Sequence, residues 1–114
     1  MAHHLASPWN MPRAVGAAVL GLAASTLAQA QMDAAALQAR SLAATCANCH
    51  GTNGQAVGSM PALAGMPADR LVATMERYRS GQQPATVMHQ ISKGYTPEQV
   101  KLMAGYFAAQ KATK

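Results

Sequence analysis

Cys46-Ala47-Asn48-Cys49-His50 is a C-x-x-C-H stretch, the attachment pattern of c-type haem. Two thiols must add across two vinyl groups on neighbouring edges of one porphyrin. Two intervening residues at a helix end give about that separation. The next residue then carries its imidazole beneath the iron as proximal ligand. Cys46 and Cys49 are therefore the candidate cofactor-binding residues, and His50 is a candidate iron ligand. One covalently bound haem c is the implied cofactor. Three other chemistries use similar residues. A disulfide between the two cysteines suits an oxidising compartment. A thioredoxin-like redox pair belongs to a βαβ pattern, and no segment here alternates with period two for long enough to be a strand. A zinc site needs a fourth ligand beyond Cys, Cys and His.

Upstream of the motif, Arg13 gives a short positive region, and Ala14 to Leu27 is nearly all Ala, Val, Leu and Gly. Ala28-Gln29-Ala30 follows, the small-x-small pattern of a signal-peptidase site. Residues 1–30 are expected to be a cleaved signal peptide, so His3, His4 and Trp9 are expected to carry no function. The apolar run falls short of the about 20 residues that a membrane span needs. No stable membrane insertion is expected after cleavage, and the domain of residues 31–114 is expected in the periplasm. That location suits c-type haem, which is attached outside the cytoplasm.

The chain of 114 residues is one small domain at most. It is 50% hydrophobic, only 4% aromatic and 11% charged, with a formal net charge of +5. A domain so small and poor in aromatics needs a staple or a cofactor to fill its interior, and a buried porphyrin is a large apolar plate. Long basic runs are absent, so no nucleic-acid partner is expected.

Local patterns predict an all-α chain of four helices and one long loop. Asp33 to about Cys46 lacks Gly and Pro and reads as a first helix, with Asp33 at its positive end. Gly51, Gly54, Gly58, Pro61, Gly65 and Pro67 mark a long loop, which in so small a domain is expected to wrap something. A backbone carbonyl in Met60-Pro61-Ala62 is the natural acceptor for the second nitrogen of His50. Pro67 opens a helix with Leu71, Met75 and Tyr78 on one face, and Gly81 ends it. Pro84 is expected to open a short helix through Met88 and Ile91, stopped by Gly94. Thr96-Pro97-Glu98-Gln99 is a capping-box start for a last helix running to about Gln110.

With these features the chain resembles the class I cytochromes c over Ala34 to Gln110. The resemblance rests on the motif at the end of the first helix, on the loop with Met60-Pro61-Ala62-Leu63-Ala64-Gly65, and on a last helix ending Tyr106-Phe107. It implies a cytochrome c-like fold wrapped around the haem. Within the family the chain is similar to the c4/c553 group. Arg79-Ser80-Gly81, Thr86 to Ile91 and Lys93-Gly94-Tyr95-Thr96 are similar to the cytochrome subunits of flavocytochrome c sulfide dehydrogenases.

The second axial ligand is sought among Met32, Met60, Met66, Met75, Met88, Met103 and His89. Met75 and Met103 sit at core positions, where methionine is ordinary packing. Met32 adjoins the cleavage site. Met60 falls only ten residues after His50, in the loop expected on the proximal side, and Met66, which immediately precedes a helix, stays possible. Met88 lies 38 residues after His50, with glycine and proline between them, and it matches the family's ligand position. His89 would give a bis-histidine site, but neighbouring helical residues point about 100° apart. It otherwise reads as a surface residue near the haem edge. With His50 and Met88 as ligands no open iron position remains, so the expectation is one-electron transfer and not catalysis.

The resemblance implies redox-protein partners. The expected role is the electron-accepting haem subunit of an FAD-containing sulfide dehydrogenase. The alternative is a freely diffusing c4/c553-type carrier to a terminal oxidase. Arg70, Arg77, Arg79, Lys93, Lys101, Lys111 and Lys114 supply solvated charge that could steer an acidic partner. Arg79 and Lys93 are candidates for contacting the haem propionates.

Overall fold

The structure is a computed structural model that describes residues 14–112, with side chains from residue 24 onward. Arg13 and everything before it, together with Lys114, lie outside the described residues, so the expectations for His3, His4 and Trp9 do too. The chain divides into two units, residues 1–32 and residues 33–114. The site lies wholly in the second.

The described residues form five α-helices and two 3₁₀ turns, with no strand. The helices are α1 (Ala14–Ala44), α2 (Ala47–His50), α3 (Ala68–Arg79), α4 (Met88–Ile91) and α5 (Pro97–Ala108). The all-α expectation holds, with three differences. First, α1 begins at Ala14, so Asp33 lies inside it and caps nothing. The stretch around Ala30 is Ala, Gln and Leu, which are strong helix formers, and it contains no breaker. Second, the first helix ends before the motif. The amides of Thr45 and Cys46 bond three residues back, to Leu42 and Ala43, and the motif then starts its own turn, α2. Third, Pro84 opens no helix. Residues 84–87 run irregularly, and the helix starts only at Met88.

α3 and α5 are the framework. Leu71 and Met75 from α3 pack with Val100, Met103, Ala104 and Phe107 from α5, and Ala43 of α1 joins them. α3 stops as its sequence predicts: the Gly81 amide bonds the Tyr78 carbonyl, and Gly81 takes φ +77°. α5 starts on a complete capping box. Thr96 Oγ1 accepts from the Gln99 amide, and Gln99 Oε1 accepts from the Thr96 amide.

The loop from Gly51 to Pro67 contains one 3₁₀ turn, Thr52–Gly54. It closes on Gly54, whose carbonyl accepts from the amides of Leu63 and Ala64 at 2.9 and 3.1 Å. The Gly65 amide bonds the Phe107 carbonyl at 2.9 Å, and the Tyr106 hydroxyl donates to Asn53 Oδ1 at 2.7 Å. Both ends of the loop are thereby held against α5. Among the described residues, no helix is long and apolar enough to cross a membrane.

Candidate functional site

α2 is one turn long, closed by the His50 amide on the Cys46 carbonyl at 2.9 Å and the Gly51 amide on the Ala47 carbonyl at 3.0 Å. Gly51 then reverses the chain at φ +77°. A Cβ there would fall 1.9 Å from the Gln55 carbonyl oxygen, so the residue after the motif must be glycine for this turn to form.

The turn presents Cys46, Cys49 and His50 to one cavity of about 350 Å³. Leu63, Leu71, Ile91 and Phe107 supply apolar wall, and residues 84–88 line it from Pro84 to Met88. The irregular run before α4 therefore has a use: its residues form cavity wall.

His50 Nδ1 lies 2.7 Å from the Pro61 carbonyl oxygen, within the stretch expected to hold it. A carbonyl only accepts, so Nδ1 carries the proton and Nε2 keeps its lone pair for a metal. Both cysteines are unbridged. Burial pushes the Cys46 thiol up from its ordinary range; the Thr45 hydroxyl opposes that shift and Cys49 adds to it. The zinc reading has no ligand set, because among the described residues no three His, Cys, Asp or Glu side chains are grouped to hold a metal ion. The thioredoxin-like reading has no strand to build on among the described residues.

Five of the methionines line the same cavity. Met75 and Met103 are buried in the core, as expected, while Met66 and Met88 are half-buried against it and Met60 is exposed. His89 does not line the cavity, whereas its neighbour Met88 does. His89 is half-buried, and its Nδ1 is buried without a hydrogen-bond partner. Arg79 does not line the cavity. Its Nη2 donates to the Ser92 carbonyl at 3.1 Å and to the Tyr95 carbonyl, and its Nε lies 3.8 Å from Glu76 Oε2. Lys93 is exposed and does not line the cavity.

Sequence reasoning missed Thr45, Thr74 and Tyr95, all in the cavity wall, where Tyr78 joins Leu71 and Met75 from the expected face of α3. Gln83 Nε2 donates to the Tyr78 hydroxyl at 2.9 Å, while its Oε1 accepts from Arg77 Nε at 3.1 Å. Tyrosine in a chain with so few aromatics was the available signal, since a buried Tyr keeps its hydroxyl paired.

Unbridged thiols on one turn, an imidazole with its metal-facing nitrogen free, thioethers and apolar walls are a donor set that fits haem c. The profile of the cytochrome c family matches residues 35–111. This chain belongs to the cytochrome c family. It is an electron-carrying protein that holds haem c covalently, and Cys46 and Cys49 fit the attachment motif. The cytochrome subunit of sulfide dehydrogenase from Chlorobaculum tepidum is 35% identical over 66 residues, 58% of this chain and 60% of that protein. Cytochrome c-554(548) from Halomonas halodenitrificans is 34% identical over 71 residues, 59% of this chain and 86% of that protein. Cytochrome c4 from Pseudomonas aeruginosa is 34% identical over 94 residues, 82% of this chain and 46% of that protein. This cytochrome thus spans 60% of the length of the first relative and less than half of the c4 protein.

Proposed function

We propose that this cytochrome is the periplasmic, single-haem subunit that accepts electrons from an FAD-containing sulfide dehydrogenase subunit. In this reading Cys46 and Cys49 carry the haem through thioether bonds, and His50 and Met88 are its axial ligands. Residues 1–30 are a signal peptide removed after Ala30. The observation that carries the site assignment is the hydrogen bond from His50 Nδ1 to the Pro61 carbonyl, in a turn that opens on the same cavity as Met88. It fixes the imidazole in its metal-binding tautomer before any ligand arrives. Bound there, haem c supplies a reversible one-electron change at its iron. Thioether ligation raises the potential relative to histidine, and two protein ligands leave no iron position for a substrate. Met60, Val87 and Ile91 line the cavity and would cover the haem with apolar wall.

The test is an absorption spectrum of the protein purified untagged from its own cells, before and after sulfide. Accompanying flavin absorbance with haem reduction by sulfide is the expected result. Haem alone, without rapid reduction, overturns the subunit reading and leaves the freely diffusing c4/c553-type carrier. Met88→Ala is expected to abolish the low-spin His/Met spectrum; an unchanged spectrum moves the ligand to Met66 or Met60. N-terminal sequencing of the mature protein is expected to start at Gln31.

A further inference from the structure

Met88 sits on a segment with little structure of its own. α4 has four residues, and the run before it is irregular. The segment is pinned after Met88. Ser92 is fully buried, and its Oγ donates to the His89 carbonyl at 3.4 Å. Arg79 of α3 grips the Ser92 and Tyr95 carbonyls. The Tyr95 side chain then reaches the other half of the site, where its hydroxyl lies 2.7 Å from Thr45 Oγ1. Thr45 Oγ1 donates to the Leu42 carbonyl at 2.7 Å, so its one proton is committed and the Tyr95 hydroxyl is the donor. Thr45 immediately precedes Cys46, and its Oγ1 is 4.0 Å from Cys46 Sγ. Thr45 and Tyr95 both line the cavity.

We propose that the Tyr95–Thr45 hydrogen bond is a strut that positions Met88, tying the segment that carries the thioether to the corner that carries Cys46. The proposal rests on the reading of Met88 as an iron ligand. Tyr95 acts through the Ser92–Tyr95 backbone and is a positioning residue. With the strut in place, the segment is anchored to α3 through Arg79 and to the end of α1 through Thr45. Without it, Arg79 is the remaining anchor among these contacts, and Met88 leaves the iron more often. Tyr95→Phe removes one bond only, since Thr45 keeps its bond to Leu42. The bond joins two neutral hydroxyls, so the effect belongs at the low end for a hydrogen bond, about threefold in an opening equilibrium.

The experiment uses the haem-loaded ferric protein and imidazole as the probe. At saturating imidazole, the displacement rate followed by stopped-flow absorbance reports the opening of the methionine ligand. Tyr95→Phe is expected to raise that rate about threefold, and Thr45→Val equally. The double variant is expected to add nothing further, because both changes break the same bond. Thr45→Ser, which restores the hydroxyl, is expected to return the rate to the native value. Tyr106→Phe removes the tyrosine bond to Asn53, remote from the Met88 segment, and is expected to leave the rate unchanged. A Tyr95→Phe protein with a lower Tm and an unchanged rate, or one that behaves like Tyr106→Phe, overturns the strut. Met88→Ala separates the two claims. If it keeps the His/Met spectrum, the ligand reading and the strut fall together. If it loses the spectrum while Tyr95→Phe leaves the rate unchanged, only the strut falls.

Discussion

His50 shows how far one contact reaches. Its bond to the Pro61 carbonyl settles which ring nitrogen carries the proton, and that leaves Nε2 free for a metal. The glycines of the neighbouring turn are as strictly required. Gly54 is buried at φ +76°, and a Cβ there would lie 2.7 Å from the Ala64 nitrogen and 2.9 Å from Phe107 Cδ1. Gly54→Ala is expected to cost on the order of 2–3 kcal/mol, from a left-handed backbone and a crowded core together. A thermal melt of the haem-loaded protein checks it, and an unchanged Tm would mean the loop can shift away from α5. Cys46 carries a pH prediction. Burial raises its thiol in the haem-free chain, so at neutral pH it is expected to react with iodoacetamide more slowly than exposed Cys49. Its rate should climb as pH rises through the shifted value, read site by site by mass spectrometry. The linkage has the same origin: an unfolded thiol ionises first, so the haem-free fold weakens as pH rises past the ordinary thiol range.

At the scale of the helices, α3 and α5 are legible because their signals are local. Thr96, Pro97 and Gln99 specify the start of α5 within four residues, and the structure makes both bonds of the capping box. Thr96→Ala is expected to lower stability by about 1 kcal/mol, measured by denaturant unfolding. Glu98, in the first turn, is held below its usual carboxylate range by hydrogen bonds from its own backbone amide and from Thr96. A depressed value contributes stability that is present above the ordinary carboxylate pKa and is lost as pH falls through the folded value. Glu98→Gln is expected to flatten that acid limb of the stability curve; an acid limb of unchanged slope would remove Glu98 from the account. The start of α1 and the late start of α4 were not legible. No local signal separates Ala30 from Asp33, and Pro84 is as suitable before an extended run as before a helix. Residues 84–87 run irregularly along the cavity instead, beside partners distant in sequence.

Across the domain of residues 33–114, the buried apolar side chains include four alanines, and the large ones are Leu71, Met75, Val100, Met103 and Phe107. That core surrounds a cavity of about 350 Å³, so the protein's interior is completed by its cofactor. A Cys46→Ser/Cys49→Ser chain made without haem is expected to keep its helices but to melt well below the loaded protein, followed by far-UV circular dichroism. A sharp melt near that of the loaded protein would show that the helices suffice alone. Phe107→Ala, at 2% exposure, is expected to cost about 3–5 kcal/mol even in the loaded protein. The residue order alone was enough for the all-α class, the haem motif, the loop over His50, the capping box of α5 and the sorting of Met75 and Met103 into the core, because each is written in neighbours a few residues apart. The Arg79 grip on Ser92 and Tyr95, the Tyr95–Thr45 bond across 50 positions and the burial of His89 Nδ1 came from the folded chain. They join residues that share no local pattern, and which polar group finds which carbonyl depends on how the helices pack.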